Sequence, residues 1–286
     1  KQAGPSSHQV AAWLRDSFEL NSTGHGGTLD PNVTGVLPVS IGQASKVIKV
    51  MQESPKEYVC LMKHYQSQNK ANVLDMFTKF TGPIYQIPPF QAAVKRELRI
   101  RRIYEIEMLE HTSKSTLFRV LCEGGTYIRN LCEDIGSALG SGGIMEQLIR
   151  TKSGPFSIEN SVSMIEAHDM YKAWKDSGDK TKLFSILKPL EDMLVDIPSI
   201  EVKDSAVDAL CHGADLGIPG VAMVSKKMKR GQLISIKTTR GEAIALARAT
   251  VNADEIAEKP KSKGKVAKLE RVIMKRGTYP REWKTK

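Results

Sequence analysis

Apolar positions along the chain follow two different periods. In residues 8–18, Val10, Trp13, Leu14 and Phe18 share one face at i, i+3, i+4 spacing, which predicts an amphipathic helix. Residues 36–41 are a short apolar strand, and Tyr58–His64 alternates or runs apolar as a strand does. Asn72–Phe80 reads as a helix stopped by Gly82-Pro83. Pro83, Pro88 and Pro89 keep residues 83–92 from being regular throughout. Arg101–Glu110 and Leu117–Glu123 are β-rich runs around His-Thr-Ser-Lys-Ser, a hairpin candidate. Thr126–Leu139 and Ile144–Ile149 read as helices, and residues 161–195 as mostly helical with breaks.

After Ile197-Pro198-Ser199 the texture changes. Short β runs recur at Val221–Val224, Leu233–Ile236 and Ala243–Ala249, with a helix at Asp204–Cys211. The texture predicts two domains divided near residue 198, the second a small β-barrel.

The 286 residues fit two domains, and 41% hydrophobic with 26% charged residues excludes collagen-like, mucin-like and wholly disordered chains. The formal net charge is +10, which points to an anionic partner, either nucleic acid or an acidic membrane surface. Residues 1–200 carry 23 basic and 22 acidic side chains, whereas residues 201–286 carry 19 and 10. The positive excess therefore belongs to the last third.

Cys60, Cys122, Cys132 and Cys211 are scattered, with neither C-x-x-C nor a compact disulfide pattern, and read as reduced thiols in a cytosolic or nuclear setting. The histidines form no metal motif. No apolar run reaches the roughly 18 residues needed to span a bilayer. The chain starts at Lys1 without an initiator Met, so it is expected to be part of a longer protein.

The densest chemical signal is Gly24-His25-Gly26-Gly27-Thr28-Leu29-Asp30-Pro31-Asn32-Val33-Thr34-Gly35. Its glycines permit close backbone approach to a ligand, and Asp30, its one carboxylate, is biased to an extended conformation by Pro31. The loop reads either as a reactive carboxylate site, or as a phosphate-type loop or a tight turn whose Asp caps a helix. It matches neither nucleotide-binding glycine motif. Gly124-Gly125-Thr126-Tyr127-Ile128-Arg129 supplies an arginine that is either a partner keeping Asp30 ionised or a surface residue of a helix. Lys95, Arg96, Arg99, Arg101 and Arg102 put five cations into eight positions and read as a solvated hairpin face or as a contact for an anionic partner. Lys226–Gly231 is a basic turn and Lys259–Lys268 a mobile loop on composition. Trp13, Phe18, Phe77 and Phe80 read as core.

Together these motifs resemble the TruB-type pseudouridine synthases. The 24–35 loop is joined by Lys1-x-x-Gly-Pro-Ser-Ser-His8, Lys56-Glu57-Tyr58-Val59, Gly125–Arg129 and Leu148-Ile149-Arg150-Thr151. Gln86–Arg96, Lys203–Gly220 and Arg276–Trp283 make the chain most similar to the archaeal dyskerin homologues, the catalytic subunits of H/ACA guide ribonucleoproteins. Three positions depart from the usual pattern: Lys1-Gln2 for Lys-Pro, Leu148-Ile149-Arg150 for Leu-Arg-Arg, and Gly124-Gly125 for Ala-Gly.

The resemblance implies an isomerase that turns uridine into pseudouridine in rRNA or tRNA, without metal or redox cofactor. It implies an α+β fold: a catalytic domain in residues 1–198 with a mixed, largely antiparallel sheet flanked by helices, a PUA barrel in 199–275, which the stretch preceding Lys1 normally completes, and a tail over 276–286. It assigns Asp30 as the catalytic aspartate, Tyr58 as the aromatic stacking on the target base, and Arg129 as the partner of Asp30. It gives RNA-binding roles to His25, Tyr127, Leu148, Arg150, Lys95, Arg96, Lys1, His212 and Gly213. The reaction breaks the N-glycosidic bond, turns the base and joins C5 to the sugar. Asp30 is placed for attack at C1′ or C6, or for taking the C2′ proton. Implied partners are an H/ACA guide RNA, substrate rRNA or tRNA, small Nop- and Gar-type accessory proteins and a kink-turn-binding ribosomal-type protein, with no membrane. The implied location is cytoplasmic in an archaeon and nucleolar in a eukaryote. A stand-alone tRNA synthase and a non-catalytic RNA-binding scaffold of the same fold are the alternatives.

Overall fold

A computed structural model describes residues 1–90, 94–258 and 264–281. The elements in chain order are α1 (Ser7–Ser17), β1 (Thr23–His25), β2 (Thr34–Gly35), β3 (Val39–Ile41), α2 (Ile48–Glu53), β4 (Lys56–His64), α3 (Lys70–Phe80), β5 (Gly82–Gln86), β6 (Arg99–His111), β7 (Ser115–Cys122), α4 (Ile128–Ala138), β8 (Gly143–Ser153), β9 (Phe156–Ser157), α5 (Met164–Ser177), α6 (Thr181–Ile186), β10 (Ser199–Val202), α7 (Asp204–Cys211), β11 (Leu216–Gly217), β12 (Val221–Val224), β13 (Leu233–Thr238), β14 (Ala243–Ala249), α8 (Ala253–Glu258) and β15 (Lys265–Val272). Chain contacts divide them into two compact units, Lys1–Ser40 with Lys49–Ile186, and Ile41–Ile48 with Leu187–Lys286.

The first unit is built on a sheet of order β2-β8-β4-β7-β6-β5, with β9 pairing β8. Only β2 and β8 run parallel in it. The inward positions of β4 and β7 (Tyr58, Cys60, Met62, Phe118, Val120 and Cys122) are buried against Phe77 of α3 and Leu131 and Ile135 of α4. The expected sheet flanked by helices is present. Local chemistry sets the helix starts: Ser6 and Gln9 form a capping box at α1, and Ser163 and Glu166 another at α5.

The second unit is a six-stranded, barrel-like sheet of order β11-β15-β14-β13-β10-β12, with α7 over a core of Ile200, Val207, Leu210, Ile234, Ile244 and Val266. The four described cysteines are free and buried; Cys60 and Cys132 lie with sulfurs 3.6 Å apart.

Three expectations need correction. Residues 265–268 of the lysine-rich stretch are not loop but the start of β15, paired with β14 and β11. Ile144–Ile149 is not a helix but the middle of β8. Its apolar pairs, Ile144-Met145 and Leu148-Ile149, fall at helical spacing, yet the whole stretch pairs with β4, and Ile149 also pairs with Thr34 of β2. Ladder hydrogen bonds decide what periodicity left ambiguous. Trp13 is not core: its ring is 50% exposed, while Phe18 at the same helix end is buried and stacks on Tyr171. The 259–263 part of the lysine-rich loop, residues 91–93 of the Gln86–Arg96 motif and residues 282–286 of the C-terminal motif lie outside the described residues.

Gly35 shows how tightly β2 is seated. Its φ is +120°, and a Cβ there would stand 2.2 Å from the Arg150 carbonyl oxygen. Gly35→Ala should cost about 2–4 kcal/mol of stability in thermal or urea unfolding. Gly213→Ala, at φ +92° in open space, should cost about 1 kcal/mol. Equal losses would mean that the β2–β8 approach imposes no constraint.

Candidate active site

The glycine-rich loop between β1 and β2 is held from three sides. From β8, the buried Arg150 side chain donates from Nε to Val36 O (2.8 Å), from Nη2 to Gly27 O (3.1 Å) and, more weakly, from Nη1 to Thr28 O (3.5 Å). From α1, the buried Ser7 hydroxyl donates to Leu29 O (3.0 Å) and accepts from Leu29 N (2.8 Å). From the chain start, Lys1 Nζ donates to Pro31 O (2.9 Å) and Val33 O (2.8 Å), and its α-amino group to Gly35 O (2.8 Å). Asp30 thus projects from a backbone fixed on both flanks, while its carboxylate stays about half exposed (52%).

Arg129, at the second position of α4, reaches that carboxylate through Nη2. The two residues are 99 apart in sequence, so the pairing expected from sequence is one that only the fold creates. The start of α4 has no side-chain cap of its own. Instead the buried Gln86 amide at the end of β5 donates to Tyr127 O (3.0 Å) and accepts from Tyr127 N (2.9 Å). Asn130 Nδ2 donates to Ile87 O (2.9 Å).

Beneath the loop lies Tyr58 of β4, cross-strand from Arg150 of β8 and packed in the cluster that contains Leu29 and Val33. Burial pushes its phenol up to about 12, against the opposing pull of the Arg150 charge, so the hydroxyl keeps its proton at neutral pH. Two residues earlier, the buried Lys56 ammonium donates to Met51 O and Ser54 O, both at 2.6 Å. Burial, then the Arg150 charge, pulls it down to about 8. Glu57 points to the other face of the sheet. It accepts from Thr151 Oγ1 (2.8 Å), Lys152 Nζ (3.3 Å) and Arg119 Nη1 (3.3 Å), which ties β4 to β8 and β7 beside Tyr58.

His25 sits at the loop's entry with its ring edge-on to His8, centroids 4.7 Å apart. Burial, then the His8 and Arg150 charges, lowers its pKa, so the ring is neutral at pH 7. Its buried Nδ1 has no protein partner. Leu148 is half-buried on β8, opposite Cys60. Lys95 and Arg96 are exposed on the segment that follows Ile87. Arg96 donates to Pro88 O (3.2 Å) and covers the Phe90 ring at 5.8 Å, and Lys95 pairs with Glu97. Neither touches Asp30 or Arg129 in the interactions described.

His212 and Gly213 belong to the second unit. There, with Lys46, Lys275 and Arg276, they line a cavity of about 360 Å³ whose charged groups are all cationic.

Sequence reasoning gave no role to Ser7, Lys56 or Gln86, although each lies inside a quoted motif. Lys56 had a readable signal: it shares the inward parity of Tyr58, Cys60 and Met62 on one strand. A lysine at such a position must be satisfied internally. Ser7 and Gln86 carry no pattern of that kind, because their partners are distant backbone groups.

Three family models match the chain: the TruB family pseudouridylate synthase N-terminal domain over residues 15–128, the tRNA pseudouridylate synthase B C-terminal domain over 129–195, and the PUA domain over 198–273. A probable tRNA pseudouridine synthase B of Methanocaldococcus jannaschii is 49% identical over 286 residues, covering 100% of this chain and 84% of that protein. Its counterpart in Methanococcus aeolicus is 47% identical, covering 100% and 89%. Among solved structures, a Cbf5-Nop10-Gar1 complex contains a chain with TM-score 0.93 and 42% identity over 98% of this chain and 85% of that one. An H/ACA RNP bound to a substrate RNA containing 2′-deoxyuridine contains another, with TM-score 0.91 and 40% identity over 99% and 86%.

The Lys56 environment makes stability depend on pH. The ammonium is disfavoured in the folded chain, so its full penalty is present below pH 8. The penalty is relieved as pH rises from about 8 towards 10.5, where only the unfolded chain still holds the proton. Between pH 7.5 and 10, wild-type unfolding free energy should gain up to about 3 kcal/mol relative to Lys56→Met. Urea denaturation across that range checks this, and a pH-independent difference would show that Lys56 titrates as an ordinary lysine.

Proposed function

This chain belongs to the TruB family of pseudouridine synthases, and from that premise we propose that it works as the RNA-guided catalytic subunit of an H/ACA ribonucleoprotein. The enzyme isomerises uridine to pseudouridine in RNA. The observation that carries the guided reading is the likeness over almost the whole chain, at 42% and 40% identity, to chains solved in a Cbf5-Nop10-Gar1 complex and in an H/ACA RNP with substrate RNA. The relatives named as probable tRNA pseudouridine synthase B favour a second reading, a tRNA synthase acting without a guide.

In either case the chemistry rests on Asp30. The N1–C1′ bond of the target uridine breaks, the base turns, C5 bonds to C1′, and the proton lost from C5 is balanced by one gained at N1. An anionic carboxylate in a fixed backbone, aligned by Arg129, can serve as nucleophile or base for this sequence. Tyr58 supports the target base from below, and with its proton retained it offers a donor to the turning base. His25, Tyr127, Leu148, Arg150 and Lys1 shape the cradle around the reacting nucleoside, and Lys95 and Arg96 meet the RNA backbone. The partners are a guide RNA, a substrate rRNA or tRNA, Nop- and Gar-type proteins and a kink-turn-binding protein. The site of action in an archaeal cell is the cytoplasm. Among the described residues no helix is long and apolar enough to cross a membrane.

The cationic cavity of the second unit supplies the RNA anchor. Basic groups on phosphates make affinity fall with salt and add little base choice. A Lys275→Ala/Arg276→Ala variant should bind guide RNA more weakly, with a log–log salt slope smaller by about 1–2. An unchanged slope would remove this cavity from the RNA path.

The deciding assay measures pseudouridine in labelled rRNA and tRNA substrates, with and without guide RNA and the accessory proteins. Turnover that requires the guide supports the proposal, and efficient modification of tRNA by the protein alone overturns it in favour of the second reading. In whichever assay turns over, Asp30→Asn should lower the rate by several orders of magnitude while leaving RNA affinity within about twofold. Retention of more than about a tenth of the rate would show that Asp30 is not the catalytic group.

A further inference from the structure

We propose that Gln86 is a positioning residue for the reaction: its side-chain amide clasps the backbone of Tyr127 and so sets where α4 presents Arg129 to Asp30. The proposal rests on the reading of Asp30 and Arg129 as the reacting pair, and it concerns a residue that touches neither.

The start of α4 needs an external support. Tyr127 is the residue before the first helical turn, and its side chain caps nothing. Its carbonyl accepts the first intrahelical bond, from Leu131 N at 3.1 Å, but its N–H would be one of the unpartnered donors of a helix start. Gln86 meets both groups at once, at 2.9 and 3.0 Å, from a buried position. At neutral pH a primary amide offers a donor and an acceptor side by side in one plane, the match for a backbone N–H and C=O, whereas an ionised carboxylate offers acceptors alone. Asn130, one residue beyond Arg129, adds a second tether through Ile87 O at 2.9 Å. The first turn of α4 is thus pinned on both sides of Arg129 to the end of β5 and the residue after it.

The pinning matters because the ion pair is exposed. Arg129 and Asp30 side chains are 35% and 52% accessible, and a pair in that setting does not hold its own geometry. On the Asp30 side the backbone is fixed by Arg150, Ser7 and Lys1. On the Arg129 side the corresponding contacts are those of Gln86 and Asn130. The same clasp anchors the root of the segment carrying Lys95 and Arg96, so the substrate-facing loop and the catalytic arginine share one fixed point.

Gln86→Glu tests this with a proton. Ionised, the introduced carboxylate accepts from Tyr127 N but faces Tyr127 O with a second acceptor. Protonated, it restores the donor. Burial raises the pKa of that carboxyl, so the repair falls within a measurable range. With the full chain in whichever assembly turns over above, the single-turnover rate at pH 8 should fall about 10- to 100-fold, with RNA affinity within about twofold. The ratio of variant to wild-type rate should then rise as pH falls towards 5.5. Gln86→Met should show the same loss without the recovery.

A wild-type rate at pH 8, or a deficit constant across pH in a folded Gln86→Glu protein, overturns the clasp. Should that variant fail to fold, Asn130→Ala decides: a loss of about three- to tenfold in rate at unchanged RNA affinity supports the proposal, and a wild-type rate overturns it. A wild-type protein that forms no pseudouridine under any condition overturns the catalytic reading itself. Wild-type turnover with unaffected Gln86 and Asn130 variants overturns the clasp alone.

Discussion

The guanidinium of Arg150 is the interaction on which the site hangs. It is 1% exposed, and its donors go to the carbonyls of Gly27, Thr28 and Val36. Releasing them would leave a buried charge with only the Tyr58 hydroxyl beside it, a costly state for a core. The loop that carries Asp30 therefore cannot drift without exposing Arg150 or abandoning it. Gly35 is part of the same constraint: Arg150 can lie this close to β2 only because residue 35 has no Cβ.

Two buried cations, Arg150 and Lys56, lie beneath one half-exposed carboxylate. Both are satisfied by backbone oxygens. The arrangement gives hydrogen-bonded rigidity without a buried carboxylate competing with Asp30 for position. Its cost is visible in the Lys56 ammonium, which burial and the Arg150 charge make easier to deprotonate than an exposed lysine. The Asp30–Arg129 pair itself contributes little to stability, roughly 0–1 kcal/mol for an exposed pair. Its geometry is a consequence of the scaffold, and preorganisation of this kind is what places a reacting group without reorganisation at the moment of reaction.

Much of this was legible before any coordinates. Apolar spacing located α1, α3, α4, β4 and the β6–β7 hairpin, because each carries an unbroken period over nine or more residues or lies beside a turn signal. Asp30, Tyr58 and Arg129 stood out through the motifs around them, and the structure brings the first and third into contact. β8 was missed because its apolar residues come in pairs rather than alternating: Ile144 and Ile149 face solvent, and a register shift against β4 at Leu61/Met62 breaks the period of two that would mark a strand. That error hid Arg150's reach: on a strand opposite Tyr58 its side chain points at the loop, a direction that a helix from 144 to 149 would not give. Trp13 was misassigned because spacing defines a face and not the depth to which it is buried. Ser7, Gln86 and Asn130 act through backbone atoms that are distant in sequence, and a one-dimensional pattern holds no trace of such partners.

Charge separates the two units as clearly as topology does. The residues before 201 are nearly neutral, and those after it hold almost the whole excess. Under the proposed function a target uridine leaves its stack to reach the Asp30 carboxylate above the β2–β8 cradle, at a cost of a few kcal/mol. Asp30 cannot supply that energy, since its pair with Arg129 is exposed and its loop is already fixed. The energy has to come from contacts elsewhere on the RNA, and a long-range electrostatic hold on phosphates does not depend on which base is extruded. Under the proposed function, concentrating cations in the barrel-like unit and keeping the first unit near neutrality separates holding the RNA from acting on it. The Asp30 carboxylate answers to its own cradle and to Arg129, and under the proposed function the choice among uridines falls to whatever pairs with the bases around the target.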